Sequence, residues 1–192
     1  MRFFLLLAAA LLLFSTPSTA QDRAASPRGE ASTQIDGNWI VVDYGRPILR
    51  NRADIFNMGD SYGEFVLGDA PVWRVGANKA TRMMTEKDLM FGDQHLPAGD
   101  YAVFVDLKDG EWKFILSNHV TRAEFRSEEP GLWGSFGYLE SEDALRMDME
   151  MGELPWTVDQ FTISFIDVSD TAGTLALMWD NTMATVAFSV MN

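Results

Sequence analysis

From Gln34 onward the apolar positions of the chain recur with a period of two. The clearest run is Leu145, Met147, Met149 and Met151, alternating with Arg146, Asp148 and Glu150, which predicts a strand with one wet face. Phe161, Ile163 and Phe165 alternate with Thr162 and Ser164. Leu175, Leu177 and Trp179 follow, then Ala184, Val186, Phe188 and Val190 against Thr185, Ala187 and Ser189. Tyr101 to Leu107 and Glu111 to Ser117 flank Lys108-Asp109-Gly110. The Asp-Gly pair supplies the positive φ of a tight turn, so a hairpin is expected here. Trp39 to Tyr44, Val72 to Val75 and Ala80 to Thr85 predict further strands, and Pro130 to Gly137 reads as a long glycine-rich loop. Gly68-Asp69, Gly92-Asp93, Pro97-Ala98-Gly99, Glu129-Pro130-Gly131 and Ala172-Gly173 break these runs at short intervals. No helical stripe reaches ten residues after residue 34, so no helix beyond about two turns is expected. The pattern predicts an all-β fold, an antiparallel, jelly-roll-like β-sandwich of about eight or nine strands over residues 34–192. The absence of a fixed-period repeat disfavours a propeller or solenoid.

Ahead of that domain the pattern changes. Arg2 is followed by the apolar run Phe3 to Phe14 and then by Ser15 to Ala20, small and polar, with Ser18 and Ala20 placed for cleavage. This is the layout of a secretory signal, so residues 1–20 are expected to direct export to the periplasm or beyond. The apolar run has 12 residues, too few for the roughly 20 that span a bilayer, and no later stretch is longer. Residues 21–33, polar and aperiodic, read as a flexible leader.

Composition narrows the chemistry. The 192 residues contain no cysteine, which excludes disulfides, thiolate metal sites, cysteine nucleophiles and a lipid anchor on cysteine. At 47% hydrophobic and 12% aromatic the chain is too apolar for disorder. A net charge of −13 argues against a nucleic-acid footprint. The charge is unevenly placed: residues 83–192 hold twenty acidic and six basic side chains, whereas residues 21–82 hold eight of each. Six of those eight basic residues fall between Arg46 and Arg82.

That basic cluster is the leading candidate site: Arg46, Arg50, Arg52 and Arg74, with Tyr44, Trp73 and Asn78. Guanidinium groups grip carboxylate or phosphate through two N–H bonds and stack on aromatic faces. Two readings stand. The arginines either pair with acids such as Asp43 and Asp54 and pin loops to the sandwich, or they face a small polar or anionic ligand. Gly76-Ala77-Asn78 reads as a turn, without the spacing of a P-loop or dinucleotide fingerprint. His95 and His119 stand 24 positions apart and match no ligand motif, so no metal and no cofactor are expected. Gly134-Ser135-Phe136-Gly137 lacks the strand–turn–helix context of a hydrolase elbow. Trp39, Trp112 and Trp179 are expected in the core, and Trp133 partly exposed. Two function classes remain: a non-enzymatic binding or accessory module for a small anion, glycan or envelope partner, and a hydrolase acting on an envelope or extracellular substrate.

The segments around the cluster also carry a family resemblance. Ser26-Pro27-Arg28, Tyr44-Gly45-Arg46-Pro47, Arg50-Asn51-Arg52 with Ile55-Phe56, and Val72-Trp73-Arg74-Val75-Gly76-Ala77-Asn78-Lys79-Ala80-Thr81 occur in order. Leu96-Pro97-Ala98-Gly99-Asp100-Tyr101, Trp112 and Trp179 follow. Together they resemble a bacterial exported family, domain of unknown function 2911, from Ser26 to about Val190. This chain departs from it in the acidic stretch Gly59 to Pro71 and in the placement of Asn118. The resemblance implies a secreted, mostly β domain and brings no established activity.

Overall fold

The computed structural model describes residues 25–56 and 59–191. The signal-type segment and residues 21–24 of the leader lie outside the described residues. Ten strands are found among those described: β1 (Arg28–Ile35), β2 (Asn38–Gly45), β3 (Thr81–Thr85), β4 (Leu89–Phe91), β5 (Gln94–Leu96), β6 (Gly99–Asp106), β7 (Lys113–Ser117), β8 (Asp143–Asp148), β9 (Glu150–Ile166) and β10 (Ala172–Val190). A 3-10 turn (Gly59–Ser61) and one α-helical turn, α1 (Glu64–Leu67), lie between β2 and β3. The strands form two sheets, ordered β1-β2-β3-β6-β7-β8 and β5-β4-β10-β9, with every strand pair antiparallel. Their inner faces share one apolar core. The fold is an antiparallel β-sandwich.

Side-chain alternation decides what each strand buries. In β2 the residues Ile40, Val42 and Tyr44 point inward. Trp39, one position out of phase with Ile40, is 44% exposed, which corrects its expected place in the core. Trp73, Trp112 and Trp179 are buried. In β6 Tyr101 to Val105 are buried without a break. Val103 and Val105 enter the main core, whereas Ala102 and Phe104 join Ile115 and Val72 on the opposite face, under Leu132 and Tyr138. The connection between β7 and β8 thus closes over the outer surface of the larger sheet.

The hairpin at Lys108-Asp109-Gly110 forms as expected. β6 and β7 meet at Asp106 and Lys113, Glu111 N–H bonds the Lys108 carbonyl at 3.0 Å, and Gly110 takes φ 74°. Elsewhere the structure redraws the expected elements. Residues 28–33, read as leader, belong to β1 and pair in register with β2; the edge of β2 satisfies a backbone whose side chains carry no strand signal. The Leu145–Met151 alternation spans two strands, with Met149 buried where the chain passes between sheets. Leu175–Trp179 and Ala184–Val190 fuse into the single strand β10. Opposite it, between Glu153 and Val158, β9 bulges at Leu154 to Thr157. The bulge carries Pro155 and leaves Trp156 63% exposed. Pro and bulges are the devices that keep an edge strand such as β9 from pairing onward.

Val72 to Val75 is no strand. Trp73 makes one isolated bridge with Val105, with N–H···O bonds of 2.8 and 2.9 Å, and Val75 then turns to φ 52°. A β-branched residue rarely enters that left-handed region. Val75 is fully buried, and its carbonyl accepts the Thr81 hydroxyl at 2.7 Å.

Candidate functional site

Two connections that would be ordinary loops in most sandwiches meet at one end of this one. The first leaves β2 at Gly45 and runs along the edge of β9: Phe161 N–H bonds the Pro47 carbonyl and Leu49 N–H bonds the Asp159 carbonyl, both at 2.8 Å. It then turns sharply, with positive φ at Arg50 (51°) and Asn51 (63°). The second is the turn after Trp73, where Val75, Gly76 and Asn78 all have positive φ. The two are locked together by close backbone approach. A Cβ on Gly76 would stand 2.6 Å from the Gly45 carbonyl oxygen, and a Cβ on Gly45 would overlap the Ala77 carbonyl. Only glycine fits at both places.

Between these connections lies a cavity of about 350 Å³, lined by Arg50, Arg52, Arg74, Asn78, Phe65 and Trp179 among others. Arg52 donates to the Leu49 carbonyl at 2.8 Å and the Ile48 carbonyl at 2.7 Å, and its guanidinium sits 4.6 Å from the Phe65 ring centroid. Arg74 donates to the Asn78 carbonyl at 3.2 Å. Its guanidinium packs against Gly134 and lies 5.5 Å from the Phe136 ring. Burial pushes the Arg74 pKa below the ordinary arginine value. Neither Arg52 nor Arg74 forms an ion pair with a carboxylate among the described residues. Asp43, a partner expected for this cluster, instead binds Arg28 at 2.5 Å and lies 3.8 Å from Lys79. Among the described residues the lining contains no acid.

Of the seven residues singled out in the sequence, Arg50, Arg52, Arg74 and Asn78 line this cavity. Tyr44, Trp73 and Arg46 do not. Tyr44 is 2% exposed, and its hydroxyl accepts Ile163 N–H at 3.0 Å, so it ties β2 to β9. Trp73 belongs to the core. Arg46 packs its stem over Gly29, and its guanidinium lies 6.0 Å from the Tyr44 ring. Sequence reasoning missed Phe65 and Trp179. Phe65 stands on a helical turn too short to show a period, and Trp179 reads as core from its alternation.

The remaining candidates have other surroundings. His95 pairs with Asp88 at 2.8 Å. His119 accepts Leu139 N–H at 2.9 Å. The Ser135 hydroxyl is buried with no hydrogen-bond partner among the described residues, and a nucleophilic serine needs a base in contact. A second ionic cluster lies on the far side of the larger sheet. Arg146 binds Asp106 at 2.5 Å and Asp143 at 3.2 Å, and donates to the Tyr138 hydroxyl at 3.1 Å. Tyr138 in turn donates to Asp143 at 2.6 Å. Burial raises the Asp143 pKa against the opposing pull of Tyr138 and Arg146, and burial followed by the hydrogen bond to Asp143 raises that of Tyr138.

A family model described as a protein of unknown function (DUF2911) matches residues 26–188. No curated protein and no solved structure matches the chain.

Proposed function

The chain belongs to this DUF2911 family of proteins of unknown function, and we propose that it serves as an exported, non-enzymatic binding module for a small anionic ligand held in the arginine-lined cavity. One observation carries the reading. Arg52 and Arg74 open on a cavity whose lining among the described residues holds no acid, in a chain with 28 acidic and 15 basic side chains. A structural arginine of this kind ordinarily meets a carboxylate; here carbonyl oxygens and aromatic faces hold the guanidinium groups in place. The left-handed backbone at Val75 supports it further, because strain of this sort collects where a fold clamps a ligand.

The test is a thermal melt in phosphate or citrate against chloride at equal ionic strength. A ligand at a hundredfold excess over Kd stabilises by about 2.7 kcal/mol, which raises Tm by about 5–10 °C in a domain of this size. Arg74→Met should abolish the rise and leave the ligand-free Tm nearly unchanged, since no carboxylate among the described residues pairs with Arg74. An unresponsive wild type, or a sharply destabilised Arg74→Met variant, overturns the proposal. Export is supported by the tripartite order of residues 1–20. Mass spectrometry of the secreted fraction should find a chain beginning at Gln21, and an intact Met1 on a cytoplasmic protein would defeat it.

A further inference from the structure

Resting on the anion-site reading above, we infer that the occupant is a small organic acid with a flat apolar body, its carboxylate or phosphate head between Arg52 and Arg74 and its body against Phe65. Size argues first. A cavity of about 350 Å³ has room for about a dozen waters at roughly 30 Å³ each. A bare phosphate or sulfate has five non-hydrogen atoms and would leave more than half of that space to solvent. The ligand that fills it has a body as well as a charge.

The walls are divided in the same way. On the polar side, Arg52 uses two of its five N–H groups on main-chain carbonyls and Arg74 uses one; the others have no acceptor among the described residues. A guanidinium held over a ring keeps its N–H groups in the plane, where they suit the paired oxygens of an acid. On the apolar side stand Ile48, Val66, Trp179 and Phe65. Phe65 is 54% exposed and lies on a four-residue helical turn. Solvent keeps access to a large part of a ring that Arg52 overlies. A flat group laid beside that ring would cover apolar surface that the free protein leaves wet.

Calorimetric titration of the purified chain tests this with two matched pairs, phenyl phosphate against inorganic phosphate and benzoate against acetate. At least one aromatic acid should bind tenfold or more tightly than its bare counterpart. Phe65→Ala, which also removes the ring face on which Arg52 rests, should weaken the aromatic acid at least tenfold more than its bare counterpart and so erase that advantage. Arg52→Met should weaken both members of a pair together. Equal affinity within each pair leaves the anion site standing and overturns the organic-acid inference. An advantage that survives Phe65→Ala overturns it too, because the body then lies elsewhere. If none of the four probes binds, the anion-site reading and this inference fall together.

Discussion

Trp73→Ala is expected to lower the free energy of unfolding by about 3–5 kcal/mol, the usual cost of deleting a large buried aromatic. In a domain of this size that is a fall in Tm of about 6–20 °C. Trp73 is 1% exposed and stands at the centre of an aromatic cluster. Phe161 lies at 5.0 Å, Phe56 at 5.6 Å and Trp112 at 5.9 Å, all edge-on, and Trp179 is stacked at 6.4 Å. Truncation would remove all four contacts and open a void that the two sheets cannot close without shearing. Trp73→Phe should behave differently. The indole Nε1–H is buried with no hydrogen-bond partner among the described residues, a defect that costs about 1–3 kcal/mol, and phenylalanine removes it while keeping most of the ring. Its cost should stay below about 1.5 kcal/mol, as for other near-conservative core changes. Denaturant midpoints of the three proteins decide the matter. A Phe variant as damaged as the Ala variant would mean that the indole N–H has a partner after all.

The period-two reading succeeded where one sheet face is apolar and the other wet, as at Ile40, Val42 and Tyr44. It failed where another force set the backbone. β1 has polar or small side chains at nearly every position and exists because β2 offers it a complete set of pairing partners. β4 and β5 have three residues each, shorter than any window in which alternation is visible. Val72 to Val75 has the composition of a strand, and the left-handed turn at Val75 is imposed by the Gly45–Gly76 approach, a contact between segments about thirty positions apart. The site follows the same rule. Arginines near one another in sequence could be named, but which of them share a cavity depends on how the β2 connection docks on β9. That docking turned Arg46 toward Tyr44 and brought Phe65 and Trp179 to Arg52 and Arg74.

Charge made the converse error legible. In the sequence Arg74 invites the expectation of a buried partner, and the structure puts that arrangement at Arg146 instead. Asp143 has a side chain only 8% exposed, with one oxygen unpartnered among the described residues and the other shared by Tyr138 and Arg146. Arg146→Met keeps the packing of the stem and removes the charge that both Asp143 and Asp106 face. Removing one member of a buried pair costs about 3–5 kcal/mol. With Arg146 25% and Asp106 22% exposed, water compensates in part, and the lower end, about 3 kcal/mol at pH 7, is expected.

The pH dependence identifies the cause. Asp143 has a folded pKa above its unfolded value of 3.8, so between the two the native state binds more protons than the unfolded chain, and stability falls as pH rises through that window. The penalty is absent below 3.8 and complete above the folded pKa. Without Arg146, which pulls the value down, the window widens upward and the slope steepens. The deficit of Arg146→Met should therefore shrink on acidification toward pH 4. Adding Asp143→Asn should recover much of it at pH 7, because the stranded charge is gone and the coupling between the two positions is removed with it. Urea midpoints at pH 4, 5.5 and 7 for wild type, Arg146→Met and the double variant measure all three effects. A deficit independent of pH and unrelieved by Asp143→Asn would show that Arg146 acts through the packing of its stem, not by neutralising a buried carboxylate.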